Sequence, residues 1–425
     1  MDLPDAVERD QAEPWRSLAG SFLRPRDAQG RPLAYLAGHS LGLCHRGVRS
    51  WIEHELGAWE RLGILGYEDA SPSWLRYAHD LRPLLAGLLG ARPEEIAVLN
   101  SLTANLHFLL ARFYRPTGNR RRILIDSPVF PSDRHALVSQ IRWHGGDPVT
   151  DLIEIGPGPG GTRLDPDALA AAITASGERL ALVWVGAVNY LTGQSFSLAP
   201  LAQAAHAVGA SFGVDLAHAI GNVPLALDRE GVDFAVWCSY KYLNGGPGAV
   251  GGLYVRADPV AGVPPPMLAG WWGHEEKTRF LMGPDFHPEE GALGFAVSNV
   301  PVLATAPLRA TLPLFAECTL ERLIARREAV IGFLKERLDL RPVAGLECVS
   351  PEDAHERGGQ LSFRVGPPLP QGADFIRALR SLGVLGDWRE PGIHRIAFAP
   401  LYNGFGDAMR WHEALCRLAG GGSSP

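Results

Sequence analysis

Residues 211–252 read SFGVDLAHAIGNVPLALDREGVDFAVWCSYKYLNGGPGAVGG, and this run decides the fold. It contains two short apolar strand patterns, Ser211–Asp215 and Asp233–Cys238, and the start of a third, Ala249–Val255. The first ends in Asp215. Such an ending puts a carboxylate at the C-terminal edge of a sheet, where open α/β sheets bind ligands. His218 follows three residues later. The second pattern leads at once into Ser239-Tyr240-Lys241 and a glycine-rich turn, Gly245-Gly246-Pro247-Gly248. Lysine is rarely buried without a partner, so one that directly follows an apolar strand demands a reason.

Working outward, further strand patterns lie at Glu95–Leu99, Arg122–Asp126 and Leu180–Gly186, with helical stretches between several of them. One helix is especially clear. Pro200 stands near its start, Leu201, Ala204, Ala205 and Val208 recur at helical spacing, and Gly209 stops it. Strands alternating with helices predict an α/β unit with a mainly parallel central sheet and helices on both faces. After residue 305 the texture changes to a long helix at Leu320–Leu338, a strand at Gln360–Val365, a helix at Ala373–Ser381, a strand at Ile393–Ala397 and a helix from Asp407. The expected division is an N-terminal segment, 1–60, packing with a small α+β domain at 305–425, and a large domain at 61–304. GPGPGG at 156–161 and Pro264–Pro266 are expected to be loops; no strong strand leads into a helix at the former, so it is a poor phosphate loop.

Composition narrows the function. A chain of 425 residues exceeds one simple core. A formal net charge of −6 argues against a nucleic-acid footprint. Arg120-Arg121-Arg122 is expected to be a solvated strand entry. The five cysteines, Cys44, Cys238, Cys318, Cys348 and Cys416, are scattered without a CxxC pair, which suits a reducing cytoplasm and offers neither a disulfide framework nor a metal site. Met1–Pro14 is acidic and has no apolar signal-like core, and no apolar run reaches membrane-spanning length.

A lysine beyond one strand and an aspartate ending another form the minimum set for pyridoxal 5′-phosphate. The amine forms a Schiff base, and the carboxylate keeps the pyridine nitrogen protonated so that the ring accepts electrons. An isolated Lys241 would be a solvent-facing turn residue; the strand–Asp–strand–SYK–glycine arrangement argues for the cofactor.

At this point the sequence resembles a family. Val214–Gly252 is similar to the central signature of the kynureninases. YLAGHSLGL at 35–43, NSLTANLH at 100–107, FPSDRH at 130–135, LAGWWGH at 268–274 and HRIAFAPLYNGF at 394–405 resemble further blocks in the same order. The resemblance implies a fold type I, class V aminotransferase-like enzyme, usually a homodimer with sites at the subunit interface. It implies hydrolysis of L-kynurenine or 3-hydroxy-L-kynurenine to alanine and an anthranilate, a step of tryptophan catabolism and NAD biosynthesis. It places the Schiff base on Lys241, Asp215 at the pyridine nitrogen, and Leu102, Thr103, Phe130, Ser132, Asp133 and His218 around the cofactor. Phe130 is implied to stack on its ring, and Tyr240 and Trp271 to contact its phosphate. Tyr240 is also a candidate proton relay. Asn299 is implied to touch cofactor and substrate, and Arg395 to bind the substrate carboxylate, for which its planar fork is suited. Alone, Thr103 would be a helix N-cap, Phe130 and Trp272 packing residues and His218 a structural histidine, while Arg395 would be evenly balanced between a surface strand residue and a carboxylate binder.

Three departures bear on substrate. His39 stands where the family usually has Asn, Gly66-Tyr67 where it often has Gly-His, and Ser298-Asn299-Val300-Pro301 where it has Ser-Asn-Pro-Pro. Asn299 points to 3-hydroxykynurenine, while Tyr67 leaves room for a modified kynurenine of a natural-product pathway. The rivals are a cysteine desulfurase or class V aminotransferase on the same fold, an inactive scaffold, and a nicotinamide enzyme. The first needs a reactive loop cysteine, with Cys318 and Cys348 as candidates. The second conflicts with the presence of Lys241, Asp215 and Arg395 together, and the third lacks GxGxxG after an early strand.

Overall fold

Near-continuous apolar runs such as Ile123–Ile125, Leu180–Val185 and Phe234–Trp237 suit strands covered on both faces, and they form the middle of a seven-stranded sheet. The computed structural model describes residues 3–158, 160–257 and 267–420. Across the sheet the strands run Ile96–Val98, Gly251–Val255, Phe234–Cys238, Ser211–Asp215, Leu180–Gly186, Arg122–Asp126 and Leu152–Ile155. From Phe234–Cys238 to Leu152–Ile155 every pairing is parallel; Gly251–Val255 runs antiparallel to both its neighbours. Two strand glycines make room for rings. A Cβ on Gly213 would lie 2.3 Å from the Phe234 ring, and one on Gly252 would lie 2.1 Å from that of Trp237. Leu152–Ile155 escapes sequence reading because its four residues include Glu154 and follow a single helical turn.

A second hydrophobic cluster lies in the C-terminal part. There Leu346–Cys348, Gln360–Val365, Ile393–Ala397 and Asp387–Arg389 form an antiparallel sheet in that order. Helices Leu320–Leu340 and Phe405–Ala419 contribute to the same cluster. Trp411 is fully buried, lies 4.9 Å from the Phe363 ring and donates Nε1–H to His394 Nε2 at 3.0 Å.

The N-terminal segment divides its allegiance. Helix Leu3–Ala12 packs against Phe405–Ala419, and Ala34–Tyr35 pairs with Val384–Leu385. Helix Gly47–Leu62 instead packs on Val302–Cys318. The boundary expected at 304/305 falls inside that last helix. Its Leu308, Leu312 and Phe315 join the large core because its apolar face matches the large unit. Arg120 also differs from expectation: Nη1 donates to the carbonyls of Leu180 and Val208, at 2.7 and 2.8 Å, tying strand ends together. Arg121 pairs with Asp151. Of the expected loops, Pro264–Pro266 and residue 159 lie outside the described residues.

Trp411→Ala should cost about 3–5 kcal/mol by opening a cavity. Trp411→Phe should cost closer to about 1 kcal/mol, mainly the bond to His394. Urea denaturation of both variants checks this; equal losses would remove the packing argument.

Candidate active site

Asp126, Gly186 and Asp215 end three neighbouring parallel strands, and Lys241 follows the fourth, so parallel register alone gathers them at one edge. They border a single cavity, together with Leu102, Thr103, Phe130, Ser132, Asp133, His218 and Tyr240. The Lys241 loop is closed by its own backbone: Asn244 N–H donates to the Lys241 carbonyl, and Gly245 N–H to that of Ser239. Asn244 takes a left-handed φ of 56°. The turn at 38–42 clasps this loop from outside. Gly42 N–H donates to the Tyr240 carbonyl at 2.8 Å, and a Cβ on Gly42 would lie 2.3 Å from the Lys241 carbonyl oxygen. Only glycine permits that approach.

At one end of the cavity two helices begin. Leu102–Phe113 is capped by Ser101, whose hydroxyl accepts from Ala104 N–H; the N-cap role considered for Thr103 therefore belongs to Ser101. Thr103 Oγ1 is free to meet Ser132 Oγ, at 2.8 Å, in the first turn of Pro131–Trp143. Two helix starts and two hydroxyls at one place suit an anion. Phe130 sits between, 41% exposed, with Lys241 Nζ 5.8 Å from its ring centre.

The other end is acidic. Asp215 Oδ1 accepts from Ala217 N–H at 2.7 Å, and Asp133 Oδ2 accepts from Trp184 Nε1–H at 3.0 Å. Burial, then the neighbouring Asp215, raises Asp133 well above the usual carboxylate range. Burial also raises Asp215, but Lys241 and the Ala217 N–H pull it back. Of the two, Asp133 is pushed the further towards its protonated form. Asp126 accepts from Gly186 N–H and Asn189 Nδ2–H, and burial pushes its pKa up to about 6. His218 is buried; desolvation, then Lys241 and Arg395, hold it neutral.

The remaining expected residues lie elsewhere in the protomer. Arg395 and His39 are buried behind the cavity wall, next to Asp387 and Tyr190. Tyr67 packs on Trp74 in an apolar groove with Trp59, Ile64 and Leu303. Asn299 Nδ2 donates to the Trp74 carbonyl. Trp271 is half exposed and donates to the Arg279 carbonyl, while Trp272 lies under the Arg279 guanidinium. Sequence reading missed Asp126, Asn189, Tyr190 and Asp387. A signal existed for Asp126, which ends its strand as Asp215 does; Asp387 has none, because its partner is named only by the sheet register.

The chain is 48% identical over 402 residues, 95% of its length, to the kynureninase of Xanthomonas campestris pv. campestris strain B100, covering 94% of that protein. It is equally similar, over 399 residues and 94% of each chain, to that of Xanthomonas oryzae pv. oryzae strain PXO99A. Residues 323–415 match the model of the kynureninase C-terminal domain. The chain belongs to the kynureninase family. Among solved structures it resembles the cysteine desulfurase CsdA of Escherichia coli, with a TM-score of 0.75 and 17% identity over 96% of this chain and 98% of that one. It also resembles the cystine C–S lyase C-DES, at 0.73 and 20% over 91% and 97%. At such identity these show the fold, an α/β fold of pyridoxal-phosphate enzymes. None of the five cysteines lines the cavity, so the desulfurase reading gains no nucleophile.

The cavity fits pyridoxal 5′-phosphate, the kynureninase family's cofactor. Its hydroxyl-lined helix starts suit a phosphate, its carboxylate end suits a cationic ring nitrogen, and buried His218 Nδ1 has no hydrogen-bond partner within the protein.

Because Asp126 binds a proton more tightly folded than unfolded, it favours folding below about pH 4, and that contribution is lost as pH rises through about 6. At about 1.4 kcal/mol for each pH unit between the two values, the loss is on the order of 3 kcal/mol. Urea denaturation of the cofactor-free protein at pH 4 and pH 7 should show the advantage of wild type over Asp126→Asn shrinking by that order. A pH-independent difference would contradict it.

Proposed function

We propose that the protein hydrolyses the Cβ–Cγ bond of L-kynurenine or 3-hydroxy-L-kynurenine, releasing L-alanine and anthranilate or 3-hydroxyanthranilate. The observation that carries this reading is the gathering of Lys241, Tyr240 and Asp215 around one cavity in a kynureninase-family chain. Pyridoxal 5′-phosphate, held covalently by Lys241, supplies the electron sink for the α-carbon. Leu102, Thr103 and Ser132 would hold its phosphate, Phe130 its ring face, Asp215 its ring nitrogen and His218 its flank. Asp133, pushed towards its neutral form, would spare Asp215 a second negative charge beside it. Lys241 Nζ would be the base that takes the α-proton of the substrate. Tyr240 stays protonated, because burial, then contact with Cys238, raises its pKa. It is thus an acid placed to give a proton as water adds to the aryl ketone and the carbon–carbon bond breaks. Arg395 binds the α-carboxylate.

Tyr67, Asn299 and Trp271 are read as completing the cavity of a second protomer. Around them Trp59, Ile64, Leu65, Phe280 and Leu281 leave apolar surface exposed, which suits burial in a homodimer. Asn299 supports recognition of a 3-hydroxyl group. Tyr67 and His39 support the alternative of a modified kynurenine as substrate. Free thiols at all five cysteines suit a cytoplasmic enzyme of tryptophan catabolism or NAD biosynthesis.

Lys241→Ala should abolish both the long-wavelength Schiff-base absorbance and turnover of kynurenine and 3-hydroxykynurenine, followed as alanine and aromatic amine. Retention of either would refute the assignment. Ile64→Glu should shift wild-type dimers to monomers in sedimentation and lower activity at least tenfold; an active monomer would sink the shared-site reading.

A further inference from the structure

Arg395 sits at a direct cross-strand position to Asp387 in the small antiparallel sheet, and both groups are withdrawn from solvent. Its Nε–H donates to Asp387 Oδ1 at 2.8 Å, and an Nη2–H donates to Oδ2. Nη1–H donates to the Tyr190 carbonyl at 2.5 Å, and Nη2 lies 3.3 Å from Ser40 Oγ. A guanidinium carries five N–H donors, so these four contacts fix its plane and still leave a donor uncommitted. Asp387 is fixed in turn: Ser40 Oγ–H donates to Oδ2 at 2.6 Å, Arg389 Nη2 lies 3.2 Å from the same oxygen, and His39 Nε2 lies 3.2 Å from Oδ1. Tyr190 belongs to the cavity wall, and the His39 ring lies 6.0 Å from that of His218, also on the wall.

We propose that Asp387 is a positioning residue that fixes the Arg395 guanidinium so that its uncommitted Nη1–H meets the α-carboxylate of the substrate, with Ser40 holding Asp387 in place. A buried ion pair is a poor stabiliser in its own right, since a well-packed apolar pair does as well or better. What the pair supplies here is orientation: its guanidinium is pinned on one edge by a carboxylate and on the other by the backbone of a cavity residue. Burial, then Arg395, lowers the His39 pKa to about 4, so this ring is neutral at pH 7 and does not compete with Arg395 for the Asp387 charge. The inference rests on the reading of Arg395 as the carboxylate-binding residue.

The test compares two ligands in the cofactor-loaded enzyme, L-alanine and ethylamine, which is L-alanine without its carboxylate. Spectral titration gives each affinity without turnover. Asp387→Asn should weaken L-alanine about 10- to 100-fold, the range for a lost hydrogen bond to a charged group, and leave ethylamine within about twofold. With kynurenine the same variant should raise KM by a similar factor while kcat changes less than about threefold. Ser40→Ala, which removes one hydroxyl, should show the same selectivity at about threefold, and it carries the test if Asp387→Asn does not fold. Equal weakening of both ligands, or none of L-alanine, overturns the proposal. If wild type binds L-alanine more tightly than ethylamine but does not cleave kynurenine, the proposed reaction fails while the positioning role is still decided by the same titration.

Discussion

An amine and three carboxylates gathered at one edge of a buried sheet form the constraint around which the large unit is arranged. Lys241, Asp126, Asp133 and Asp215 all border one cavity. Unpaired charges in such a place would be too costly, so the site must divide protons among them. It does so by geometry. Asp215 receives the Ala217 N–H and the field of Lys241, Asp133 has only Trp184 and its acidic neighbour, and Asp126 is engaged by Gly186 and Asn189. The result is a graded set: Asp133 is driven furthest towards its neutral form, while Lys241 and the Ala217 N–H draw Asp215 back towards its charged form. That asymmetry lets a single carboxylate face a ring cation without a surplus of negative charge.

The same logic explains the glycines and the turn at 38–42. A lysine beyond a strand end is held in place only if its loop is rigid, and the loop's backbone groups are closed by Asn244, Gly245 and Gly42. The N-terminal segment thus reaches Lys241 from one side and Asp387 from the other, through Gly42 and Ser40. It joins the Lys241 loop to the Asp387–Arg395 pair of the small sheet across a span of three residues. Small displacements of this turn should therefore affect both cofactor and carboxylate binding.

Most of the large unit was legible because parallel strands buried on both faces write continuous apolar runs. Leu180–Gly186 and Ser211–Asp215 match their predicted limits, and in the smaller sheet Gln360–Val365 and Ile393–Ala397 do so as well. Asp215 and Lys241 were legible because chemistry followed directly from a strand end. Leu152–Ile155 was not, being short and half polar, nor was the join at Val302–Cys318, whose helix pattern says nothing about which core it will face. Asp387 was invisible for a different reason. Its significance depends on register: it stands eight residues before Arg395 in the chain and becomes its neighbour only once the strands pair.

Tyr67, Trp271 and Asn299 mark where a single chain stops being a sufficient unit of argument. In one protomer they pack on Trp74, Phe280 and a backbone carbonyl rather than on the cavity. The face around them leaves Ile64 at 77% and Leu281 at 75% exposed. Surface of that kind is costly in water unless it is covered. A second protomer would cover it and bring these side chains to a cavity that already holds every group the cofactor needs but has few with which to read an aromatic substrate. On the proposed homodimer, Tyr67 would bear on specificity from the second protomer, whereas His39 acts within its own chain beside Asp387.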